Sequence, residues 1–88
     1  MKNKKLILSR PFEKAFARLP KEIRESAYQK LELLLENPSH PSLQVKKMRG
    51  TSSIWETRLT LSHRLTFEIG ADAILLRKIG AHDILRNP

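Results

Sequence analysis

The chain has 88 residues and no cysteine, so it has room for one small core and excludes disulfides, thiolate metal sites and a cysteine nucleophile. Its 17 Lys and Arg against 9 Asp and Glu give a net charge of +8 and a pI near 10.3, which in so short a chain points to an anionic partner such as nucleic acid. Three scattered histidines without cysteines make a poor zinc site, and no apolar run approaches the ~18 residues needed to span a bilayer.

The N-terminus, MKNKKLILSR, is basic and then apolar. Its apolar run is only Leu6 to Leu8, short of the ~7–15 residues of a secretory signal core. The expectation is a cytoplasmic protein with no membrane partner, folded as a single domain over residues 1–88.

Lys4 to Ser9 reads as a short strand. Ser9 can cap a helix whose first turn holds Pro11, where the missing N–H costs nothing. Phe12, Ala15, Phe16 and Leu19 follow helical spacing. Pro20 interrupts that pattern and opens a second helix toward Glu36, with Ile23, Ala27, Leu31, Leu34 and Leu35 in one stripe and Tyr28 beside it. Asn37-Pro38 stops it. His40 lies in the PSHP loop and reads as an exposed loop histidine.

Leu43 to Met48 is a strand candidate, and Lys46, Lys47 and Arg49 give it a basic edge. Ile54 to Leu61 follows, with Trp55, Thr57, Leu59 and Leu61 alternating with Ile54, Glu56, Arg58 and Thr60. Ser62-His63 is a tight connection. Arg64 to Ile69 alternates again, Leu65, Phe67 and Ile69 against Arg64, Thr66 and Glu68. After a turn at Gly70 to Asp72, Ala73 to Ile79 has an apolar centre, Ile74 to Leu76, suited to a strand covered on both faces in its first half. Arg77 and Lys78 take it toward solvent, and a polar tail carries His82, Asp83 and Arg86. The order predicts an α+β domain: an N-terminal strand and a two-helix hairpin packed on an antiparallel sheet of about four strands, the first strand joining the sheet edge.

There is no P-loop, GxGxxG, GxSxG or HExxH motif, and no carboxylate-rich cluster for a magnesium nuclease. Chemistry must rest on Arg, Lys, His and a few carboxylates, with no cofactor and no metal. RNA cleavage by the substrate's own 2′-OH fits that set. It needs proton transfer, for which histidine is suited, and a cation to hold the developing phosphorane charge, for which the planar arginine fork is suited. His82, Arg58 and Arg64 are residues of those kinds, within or beside the predicted strands. Arg58 and Arg64 could equally form cross-strand ion pairs with Glu56 and Glu68, and His82 could be a plain tail residue.

Over nearly its whole length the chain resembles the RelE/ParE superfamily of toxin–antitoxin toxins, on the RelE-like side. The stretches that carry this are PFEKAFARLPKEIRESAYQKLELLLENP, VKKMRG, IWETRLTLSHRLTFEI and AILLRKIGAHDIL, in that order. The resemblance implies an mRNA interferase, often acting on the ribosome, held inactive by a cognate antitoxin protein. It implies Arg64 as the strand arginine on phosphate, Arg58 as a basic position on the preceding strand, and His82 as the reacting C-terminal residue. Lys46 and Lys47 match a basic region facing mRNA and rRNA, and Arg49, Arg77 and Arg86 extend the expected RNA-binding surface. Arg86 stands where many relatives carry an aromatic residue, and Glu56 where a lysine is common. A gyrase-inhibiting toxin without nuclease activity, and a weak relative that mainly binds its antitoxin in an apolar groove near Ile23, Tyr28 and Leu31, are the other readings.

Overall fold

The computed structural model describes residues 4–88; the start of the basic N-terminal segment, residues 1–3, lies outside the described residues. Strand β1 (Lys5–Leu8) leads into helices α1 (Arg10–Arg18) and α2 (Lys21–Glu36). Strands β2 (Lys46–Lys47), β3 (Trp55–Arg58), β4 (Arg64–Ile69) and β5 (Ala73–Gly80) follow, with 3-10 turns at Pro41–Leu43 and His82–Arg86. The strands form one five-stranded sheet ordered β1-β5-β4-β3-β2. β2 to β5 run as an antiparallel meander, and β1 lies parallel to β5 at the edge. This is the α+β arrangement expected from the sequence.

Local chemistry sets the helix boundaries. Ser9 Oγ accepts from the Phe12 N–H at 3.1 Å, as an N-cap should. The same hydroxyl donates to the Arg77 carbonyl at 2.6 Å, so the cap also ties α1 to β5. α1 ends at Arg18, before the Leu19-Pro20 step, and α2 ends before Asn37-Pro38. Phe12, Ala27, Leu31 and Leu34 from the helices meet Leu65, Phe67, Ile74, Leu76 and Ile79 from the sheet in one core. Phe16 stacks on Phe12 at 6.0 Å and meets Tyr28 edge-on at 5.3 Å, linking the two helices.

Two expected strands are shorter than the sequence suggests. Pro41–Leu43 forms a 3-10 turn, capped by His40, whose Nδ1 accepts from the Ser42 N–H at 3.1 Å. Gln44 then takes a left-handed conformation, φ +50°, and only Lys46 and Lys47 pair with β3. At its far end β3 stops at Arg58, because the Thr60 hydroxyl captures the N–H groups of Ser62 and His63 at 3.2 and 3.0 Å and closes a side-chain turn. Leu61, expected on the covered face, sits in that turn and is 92% exposed.

The helices cover one face of the sheet, and the other carries the polar residues. Between the pairs Thr66–Lys78 and Phe67–Leu76 the register shifts, leaving Arg77 as the extra residue of a bulge. Thr66, on the polar face, is nonetheless fully buried. The C-terminal segment folds back over it, and the Pro88 carbonyl accepts from Thr66 Oγ1 at 3.1 Å and from Arg77 Nε at 3.0 Å. Among the described residues no helix is long and apolar enough to cross a membrane.

Candidate functional site

The antiparallel register places the predicted arginines side by side. Arg58 pairs with Arg64, and Arg64 pairs with Gly80, so one row crosses three strands at the same end of the sheet. Strand spacing puts the outer members of the row roughly 10 Å apart. The neighbouring row is Lys46, Glu56, Thr66 and Lys78. Both rows lie on the face that the helices leave open, because side chains two residues apart on a strand share a face.

A concavity of about 170 Å³ opens between these rows, lined by Gln44, Lys46, Glu56, Arg58 and Arg64. Arg64 Nη1 donates to Glu56 Oε1 at 2.6 Å, with both side chains largely shielded. Arg58 is exposed and makes no ion pair among the described residues. Three cations against one carboxylate leave this hollow positive, and guanidinium forks can grip phosphate oxygens there. Neither Gln44 nor the burial of Glu56 was expected at the site. Gln44 enters because its left-handed turn swings the chain into β2, which sequence periodicity does not reveal.

His82 does not line this hollow. It opens the 3-10 turn two residues past Gly80, exposed, beyond the same end of the sheet. Gly80 is crossed closely by that turn: a Cβ there would lie 2.9 Å from Ile84 Cγ2. The remaining predicted contacts are spread out. Lys46 lines the hollow, whereas Lys47 shares the register position of Trp55 and so faces the other way. Arg49 and Arg86 are exposed outside it. Arg77 is bound internally, to Glu68 and to the Pro88 carbonyl. His63 is half-buried in the β3–β4 turn, its Nδ1 3.1 Å from Thr60 Oγ1, immediately before Arg64. Among the described residues no group of His, Cys, Asp or Glu is placed to hold a metal ion.

A second concavity, about 430 Å³ and apolar, lies on the opposite side between β1, α1 and α2. Leu6, Leu8, Phe16, Tyr28, Leu31 and Leu35 are among its lining residues. Of the residues expected beside a groove, Tyr28 and Leu31 are there and Ile23 is not.

No protein-family model and no curated protein sequence matches the chain. Solved structures do. The YoeB dimer of Staphylococcus aureus superposes with a TM-score of 0.81 at 13% identity, covering 91% of this chain and 98% of that one. YafQ in the Escherichia coli DinJ–YafQ toxin–antitoxin complex gives 0.79 at 12% identity, over 94% and 97%. The RelB–RelE antitoxin–toxin complex of Methanococcus jannaschii gives 0.75 at 20% identity, over 92% and 95%. The chain thus carries the RelE/ParE-type fold shared by the YoeB, RelE and YafQ toxins.

Proposed function

We propose that this protein is the toxin of a type II toxin–antitoxin system and an endoribonuclease that cleaves mRNA at the ribosome. The observation that carries this reading is the Arg58–Arg64 pair, set abreast with Lys46 in a polar hollow on the open face of the sheet. Arg64 and Arg58 hold the scissile phosphate and the charge that builds on it as the 2′-oxygen attacks. As the bond from the 2′-oxygen to phosphorus forms, the P–O5′ bond breaks, leaving a 2′,3′-cyclic phosphate. The 2′ proton passes to solvent, and His82, just beyond the end of the same row, gives a proton to the departing 5′-oxygen. The 3-10 turn opens at His82, and the chain beyond it folds back so that the Pro88 carbonyl accepts from Thr66 Oγ1. The reaction draws on the substrate's own hydroxyl as nucleophile and on these side chains as its catalysts.

The apolar groove supports the second half of the proposal, an antitoxin partner. Tyr28 is 58% exposed beside Leu31 and Leu35, a surface that an amphipathic helix can cover by its apolar face. That groove and the hollow on the polar face are lined by different residues, so capture and cleavage can be separated by mutation.

Purified protein added to a translation reaction should shorten the message, and His82→Ala or Arg64→Ala should reduce cleavage by at least ~100-fold, the scale of lost acid–base or electrostatic catalysis. Loss of gyrase supercoiling activity with the message intact would replace this reading with that of a gyrase inhibitor.

A further inference from the structure

Glu56 is out of place in a site for phosphate alone. It is a carboxylate only 8% exposed, set in a hollow whose other charged members are Lys46, Arg58 and Arg64. A bare phosphate oxygen brought there meets a negative charge beside the positive ones. One carboxylate oxygen, Oε1, is occupied by Arg64. Oε2 makes no hydrogen bond within the described residues, yet no buried side-chain oxygen there lacks a partner. Oε2 is therefore a partly exposed acceptor on a residue that lines the hollow.

A ligand that fits must bring an anion and a hydrogen-bond donor together. A phosphodiester offers acceptors only. In RNA the 2′-hydroxyl adjoins the 3′-phosphate and can donate; in DNA that donor is missing. The hollow, about 170 Å³, is smaller than the roughly 300–1,000 Å³ of pockets that enclose drug-sized ligands. It suits a phosphate with its neighbouring hydroxyl better than a whole nucleotide. We propose that Glu56 makes the site selective for RNA over DNA, by accepting a hydrogen bond from the 2′-hydroxyl beside the bound phosphate. This rests on the RNA-handling role assigned above. A carboxylate oxygen accepts and does not donate, so a strand without the hydroxyl leaves Oε2 with no donor beside the phosphate, while Oε1 stays on Arg64. Sites built around a ligand hydroxyl reject the analogue that lacks it in this way.

The test is binding, by fluorescence anisotropy at fixed low salt, in a His82→Ala background that keeps the RNA intact. Three single strands of one sequence are compared: RNA, 2′-fluoro RNA, which keeps a ribose-like sugar without the donor, and DNA. RNA should bind roughly ten- to hundred-fold more tightly than the other two, the range of a hydrogen bond to a charged group. Adding Glu56→Ala should bring the three within about two-fold, by tightening DNA and 2′-fluoro RNA. Equal binding of RNA and 2′-fluoro RNA by the Glu56 protein overturns the proposal, as does a preference that survives Glu56→Ala. If Glu56→Ala fails to fold, the 2′-fluoro comparison alone decides. Selective binding by a protein that cleaves no RNA would remove the nuclease reading and leave this one standing. Cleavage without selective binding would do the reverse.

Discussion

The Arg64 guanidinium donates to Glu56 across the β3–β4 ladder, while Arg58, directly abreast, has no ion-pair partner among the described residues. The two arginines should therefore respond differently to truncation. Arg58→Ala removes a cation from the proposed phosphate site with little effect on folding, within about 0.5 kcal/mol as for an ordinary surface change. Arg64→Ala strands a mostly buried carboxylate and should cost about 1–2 kcal/mol, less than in a dry core because water in the hollow still reaches Glu56. Urea unfolding of each variant checks this, and the double variant with Glu56→Ala should recover part of the Arg64 loss. Alternation along the strands made Arg58, Arg64, Glu56 and Glu68 legible as residues of one face. It could not say who pairs with whom. The pairs are Arg64 with Glu56 and Arg77 with Glu68. That choice depends on register and on the bulge at Arg77, which are properties of two strands together and not of either sequence.

At the scale of elements, the helices were the most legible part, because capping and proline signals act within a few residues. Ser9, Pro11, Pro20 and Asn37-Pro38 bound α1 and α2 where local chemistry says they should. The strand ends were less so. Thr60 and His40 divert the backbone by side-chain hydrogen bonds, and such turns compete with strand pairing over one or two residues only. The C-terminal segment read as a plain polar tail, yet Ile84 and Leu85 are half-buried in it, and its order depends on contacts with Thr66, Arg77 and Gly80 in the strands. Gly80 is the tightest of these. Gly80→Ala should push Ile84 off the strand and loosen residues 82–88, visible as lowered heteronuclear NOE values there, with the β4–β5 amides unchanged. RNA cleavage should fall with it, since His82 rides on that segment.

For the whole molecule, the fold places two unlike surfaces on opposite sides, a cationic hollow on the open sheet face and an apolar groove by the helices. Each carries its own prediction. RNA binding should weaken steeply with salt, and Lys46→Ala should lower the slope of log K against log salt by about one, because one phosphate fewer is neutralised. Tyr28→Arg, at an exposed groove position, should weaken antitoxin capture in co-purification while leaving cleavage near its original value, and should cost about 0.5–1.5 kcal/mol of stability through the lost edge-on contact with Phe16. The net charge of +8 points to an anionic partner from composition alone, whereas the groove arises only when β1 docks beside α1 and α2.

The central claim, that the Arg58–Arg64 row and His82 cut RNA, is tested most directly by mapping mRNA 5′ ends in cells after induced expression. The original chain should arrest growth and create new 5′ ends within coding regions. Arg64→Ala and His82→Ala, folded by circular dichroism, should do neither. Growth arrest by the original chain with an unchanged pattern of 5′ ends would contradict the account, as would new ends that persist in both variants.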